Sequence, residues 1–135
     1  MRMSQIHRGI VLSLLSVAIP ITMQAQKIVV GQYQTSETFD KAFVAALQAA
    51  PLAKFSVKAS DKQQGTIQAV KSSGGKEYGS LFVMIRKEGS NIVVEGTFTR
   101  HSGFMGGGKP EDWAHKYGAQ LKSGLPDVTI NVTKK

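Results

Sequence analysis

The chain has 135 residues, with 17 lysines and arginines against 9 aspartates and glutamates, a formal net charge of +8 and no cysteine. The missing cysteine excludes disulfides, a thiolate nucleophile, a cysteine-ligated zinc site and a lipidated amino-terminal cysteine. The length suits one domain standing on its hydrophobic core, and no motif interleaves bases with stacking aromatics as nucleic-acid binding would require.

At the amino terminus, Arg2, His7 and Arg8 lead into a nearly uninterrupted apolar run from Ile10 to Met23, with Pro20 near its end. Ala25 is placed to precede a cut, although Met23 stands where a small residue is usual. This is the layout of a secretory signal peptide, and the run falls short of the ~20 residues that span a bilayer. Residues 1–25 are therefore expected to be a removed leader. Residues 26–135 are expected to form a single periplasmic or secreted domain with no transmembrane segment. Without Arg2 and Arg8, 15 basic residues face 9 acidic ones, a net charge of +6. That excess attracts acidic partners, such as a protein or an anionic envelope component. The lysines are nonetheless dispersed, as in a merely solubilising pattern.

Lys27 to Tyr33 reads as a strand, with Ile28, Val29 and Val30 apolar and β-prone. Thr35 and Ser36 are expected to cap a following helix, whose first turn carries Glu37 and Asp40. Phe39, Phe43, Leu47 and Ala50 form its apolar stripe, and Pro51 ends it or sits just past it. Phe55, Val57 and Ala59 alternate with Lys54, Ser56 and Lys58, predicting a strand with one wet face. A turn over Asp61 to Gln64 leads to a strand at Thr66 to Lys71. Leu81 to Ile85 is continuously apolar and predicts a strand covered on both faces. Glu88, Gly89 and Ser90 turn the chain into a partner strand from Ile92 to Thr99. Pro110, Glu111 and Asp112 open a second helix with the stripe Trp113, Tyr117 and Leu121, closed by Gly124. Val128, Ile130 and Val132 alternate in a last strand.

The order strand, helix, four strands, helix, strand predicts an α+β domain: a mainly antiparallel sheet with both helices on one face. Ile28–Val30 and Ile92–Val94, each before a helix, echo one another, as do Phe39, Phe43, Leu47 and Trp113, Tyr117, Leu121. A duplicated unit would produce this echo, and so would the shared spacing of amphipathic helices. The element order resembles helix-grip and TATA-binding-protein-like folds. The stretch Ala50–Ala69, with Gly65-Thr66-Ile67-Gln68-Ala69, resembles small exported envelope domains, including modules of accessory lipoproteins of outer-membrane assembly. The resemblance implies a binding or scaffold role. It does not carry over membrane anchoring, because the lipid-acceptor cysteine of those proteins is missing here.

Arg100 to Pro110 is the unusual segment: Gly103, Gly106, Gly107 and Gly108 enclose the apolar pair Phe104 and Met105. Gly103, Gly108 and Lys109 match the start of a phosphate loop, but Pro110 occupies the hydroxyl position that binds magnesium. His101, Asp112 and His115 are outside candidates for a metal site, which would make the chain a histidine-dependent hydrolase. Ser102 beside His101 forms no nucleophile–base pair on a strand, where adjacent side chains point to opposite faces. The remaining reading is a partner-binding loop: Phe104 and Met105 as an adaptable apolar tip, with Arg100 and Lys109 adding positive charge. The sequence therefore points to an exported, non-catalytic binding module without a cofactor, using Arg100, Gly103, Phe104, Met105 and Lys109. A carrier of a small apolar or lipid ligand is the alternative, its pocket lying between sheet and helix.

Overall fold

The computed structural model describes residues 26–101 and 106–135, so the expected leader lies outside the described residues. The elements are β1 (Lys27–Thr35), α1 (Phe39–Leu52), β2 (Ser56–Asp61), β3 (Thr66–Ser73), β4 (Lys76–Glu88), β5 (Asn91–Arg100), α2 (Pro110–Gly124) and β6 (Thr129–Lys134). The six strands form one antiparallel sheet in the order β2-β3-β4-β5-β1-β6. Both helices cover the same face, giving the α+β architecture that the element order predicts. No helix among the described residues is long and apolar enough to cross a membrane.

Local chemistry sets the helix ends. Thr38, rather than Thr35 or Ser36, is the N-cap of α1, its hydroxyl accepting from the Lys41 N–H at 3.2 Å. Thr35 and Ser36 instead hold Asp127. The Thr35 hydroxyl donates to Oδ1 at 2.6 Å, and the Ser36 hydroxyl and N–H donate to Oδ2 at 2.7 and 2.9 Å. These bonds fasten the end of β1 to the approach of β6, and they hold the Asp127 carboxyl down at a pKa of about 2. Pro51 lies inside the last turn of α1. The helix then closes in a Schellman motif, with Phe55 N–H donating to Ala50 O at 2.9 Å and Lys54 N–H to Pro51 O at 3.0 Å. Lys54 takes the left-handed position of that motif at φ 71°, where glycine is usual.

The core lies between sheet and helices. Val29, Tyr33, Ile67, Ala69, Leu81, Val83, Ile85, Val94 and Phe98 face inward from the strands. From α1 the deepest residues are Ala42, Ala46, Ala49 and Ala50, while Phe39 and Leu47 of the predicted stripe are only partly buried. The small alanine face lets α2 approach closely. Trp113, Tyr117 and Leu121 of α2 fill the gap as their spacing predicts. Tyr117 makes edge contacts with Tyr33 and Phe98 at centroid distances of 5.6 and 5.8 Å, and Phe55 meets Phe98 and Trp113 at 6.0 Å. The space where a carrier would hold its ligand is occupied by these rings. Two buried hydroxyls tie the layers: Tyr33 donates to Ala114 O at 2.6 Å, and Tyr117 to Ala46 O at 2.8 Å. Burial pushes the Tyr117 phenol well up, so it stays a donor.

Two strand readings need correction. Leu81–Ile85 is covered on one face only, because Phe82 and Met84 point away from the helices and remain 38% and 43% exposed. They stand on the open side of the sheet among Gln68, Thr97, Thr66 and Glu95 of the neighbouring strands. A continuous apolar run does not distinguish two covered faces from one covered face beside an apolar open one. The second correction is β2, which is exposed along its whole length. A register shift between Val57 and Ala59 places Val57 opposite Ala69 on the inner face but Ala59 opposite Gln68 on the outer one. The alternation in the sequence is real, but the bulge breaks its phase.

Candidate functional site

Gly106, Gly107 and Gly108 fold as a clamp that ties the start of α2 to Arg100 at the end of β5. Gly106, Gly107 and Gly108 all have positive φ, at 85°, 82° and 87°, a run that side chains resist. The second of these also passes so close to the Tyr78 ring that a Cβ would stand 2.5 Å from it. The turn directs two carbonyls back into the domain. Gly107 O accepts from the Trp113 indole N–H at 2.9 Å, and Gly108 O accepts from the Arg100 guanidinium at 2.6 Å. Lys109 then becomes the N-cap residue of α2 in extended conformation, its side chain making no capping bond, and Pro110 starts the helix.

Strand pairing adds to this clamp two cations that no sequence motif marks. Lys27 at the start of β1 lies opposite Arg100 at the end of β5, and Lys134 lies opposite Val29. Alternation from the inward-facing Val29 and Phe98 places all three on the helix-bearing side. They reach the rim of an open cleft of about 410 Å³, also lined by Gly106, Gly108, Lys109 and Glu111. Four cations thus surround one carboxylate. Lys134 engages Glu111 at 2.7 Å, holding that carboxyl below its ordinary range while the Lys134 ammonium is raised. The α2 amino terminus adds its partial positive charge at the same place. The site suits an acidic group arriving from solvent.

Of the residues expected to bind a partner, Arg100 and Lys109 line this one cleft. Gly103, Phe104 and Met105 lie outside the described residues. The metal candidates are not gathered: among the described residues no three of histidine, aspartate and glutamate are placed to hold an ion. His101 N–H pairs with Tyr78 O at 3.0 Å, His115 is exposed on α2, and Asp112 lines a different cleft. No sequence signal links Lys27 and Lys134 to Arg100, since only register unites them. No protein-family model matches this chain, and no curated protein sequence matches it either.

Proposed function

We propose that the chain is an exported, non-catalytic binding module that takes an acidic partner at its basic end, framed by the Gly103–Lys109 loop. The observation that supports this reading is the convergence of Lys27, Arg100, Lys109 and Lys134 on one open cleft with Glu111 as its single acid. In that reading Arg100 and Lys27 supply charge from the sheet, Lys109 supplies it from the helix start, and Phe104 with Met105 adds apolar contact. The partner is a protein with an acidic patch or an anionic envelope component.

The test uses the chain from Gln26 onward, immobilised and exposed to an envelope extract and to phosphatidylglycerol-containing vesicles, with phosphatidylcholine vesicles as the neutral comparison. Retention should weaken steeply as salt rises, because the Debye length shrinks from about 10 Å at 0.1 M to about 3 Å at 1 M. It should be lost in the double variant Lys27→Gln/Lys109→Gln. Phe104→Gly/Met105→Gly should weaken it without changing its salt dependence. Equal retention by wild type and the lysine variant would remove the basic end from the mechanism.

A further inference from the structure

We infer that a second cleft, above Lys71, is a ligand site for a small organic carboxylate with a flat apolar body. It lies on the other side of the Gly107–Gly108 turn, between the carboxy end of α1 and the outer surface of α2, and encloses about 510 Å³. That volume falls within the range of about 300–1,000 Å³ typical of small-molecule sites.

Lys71 occupies an inward position of β3, in phase with Ile67 and Ala69, and is only 8% exposed. A hydrophobic side chain there would simply extend the core. Instead the lysine stem passes the rings of Phe55 and Trp113, with its nitrogen 4.5 and 5.5 Å from their centroids. The ammonium donates to Ala53 O at 3.0 Å and Lys54 O at 3.3 Å, the free carbonyls at the end of α1. An ammonium has three N–H donors, so one remains beyond these two.

Two further lysines line the same cleft. Lys116 stands on α2 and Lys54 at the helix end, both exposed. Burial first, and then repulsion from Lys116 and Lys54, lower the Lys71 pKa, so the three charges sense one another across the cleft. Among the described residues none of the three makes an ion pair, although Asp112 lines the wall. Lys54 also holds its side chain at φ 71°, where glycine would fit without steric cost. Helix closure alone does not call for a lysine there, whereas an anion bridging the ammonium groups relieves their repulsion. The remaining side chains of the wall are mostly apolar, with Leu52, 58% exposed, Ala53, Ala119 and Trp113 beside the uncharged Gln120. Cationic head and apolar wall together match a carboxylate carried on a flat hydrocarbon body.

Trp113 is the chain's one tryptophan, so its fluorescence reads the cleft directly. Titration of the full chain with phenylacetate should give a saturable change, while neutral 2-phenylethanol and inorganic sulfate should each bind at least about tenfold more weakly. Lys116→Gln and Lys54→Gly, both at exposed positions, should each weaken phenylacetate about tenfold. Lys54→Gly should do so while leaving the fold as stable as before or more so, which separates a ligand role from a structural one. No saturable change with phenylacetate overturns the proposal. Equal binding of the alcohol or of sulfate overturns it too, as does unchanged affinity in both lysine variants.

Discussion

Gly79 of β4 faces the helices, and a Cβ built there would stand 2.6 Å from Cη2 and 2.7 Å from Cζ3 of Trp113. Carbon atoms in contact prefer about 3.5–4.0 Å, so Gly79→Ala forces the indole to retreat by about 1 Å. The ring has little room: it is 3% exposed, makes edge contacts with Phe55 and Tyr78, and donates to Gly107 O at 2.9 Å. Overpacking of this kind costs about 1–3 kcal/mol, and a strained or broken indole hydrogen bond adds about 1 kcal/mol. The alanine recovers about 0.4–1 kcal/mol by restricting the unfolded chain. The expected net loss is about 2 kcal/mol. With a urea dependence of about 2 kcal/mol per M for a domain of this size, the unfolding midpoint drops by about 1 M. Trp113 fluorescence follows the transition, and the folded-state emission of the variant should already differ from wild type. Ser80→Ala, on the opposite face, provides the control and should move the midpoint by no more than about 0.2 M. A Gly79→Ala midpoint equally close to wild type, with unaltered emission, would refute the reasoning that the indole is pinned against the strand.

Other outcomes follow from single contacts. Lys54→Gly removes a side chain from left-handed backbone and should raise stability by about 0.5–1 kcal/mol in the same urea assay. Tyr117→Phe removes the buried bond to Ala46 O and should cost about 1 kcal/mol, seen as a lower thermal midpoint by circular dichroism. Asp127, held at about pH 2 against an ordinary 3.8, contributes stability that is present above the upper value and lost as pH falls through the lower one. Asp127→Asn should therefore flatten the acid limb of a stability–pH curve between those values, leaving the contribution of Glu111, whose carboxyl is lowered by Lys134. Phe82→Thr with Met84→Thr, on the open face, should change stability by no more than about 0.5 kcal/mol per site, measured by urea unfolding.

Much of this architecture is legible in the sequence because local signals agree with one another. The β4–β5 hairpin is announced by Gly89, whose φ of 63° a turn of this kind requires, and by alternation on both sides. The stripe Trp113, Tyr117, Leu121 marks the buried side of α2 without ambiguity. The N-cap of α1 is harder to read, since Thr35, Ser36 and Thr38 all have the right chemistry. Only the distant Asp127 decides which of them is free to cap. Lys71 is invisible as a core residue because a lysine reads as a wet position, while its stem is long enough to cross a core and its head reaches the α1 carbonyls. Lys27 and Lys134 stand near the two ends of the domain, and nothing short of the strand register places them beside Arg100. Of the candidate site, the sequence shows the glycine loop and two of its cations, while the pairing supplies the rest.

The bulge in β2 has a consequence for the molecule's behaviour in company. An outermost strand ordinarily offers a regular row of free N–H and C=O groups, onto which another chain can zip and begin a stack. The step between Val57 and Ala59 interrupts that row halfway along, and Lys58 sits at the interruption. An incoming strand in register with Ser56 meets a broken row before Ser60, which disfavours its extension along β2. The irregularity acts as a selvedge, the finished border that keeps a woven cloth from growing or unravelling at its side.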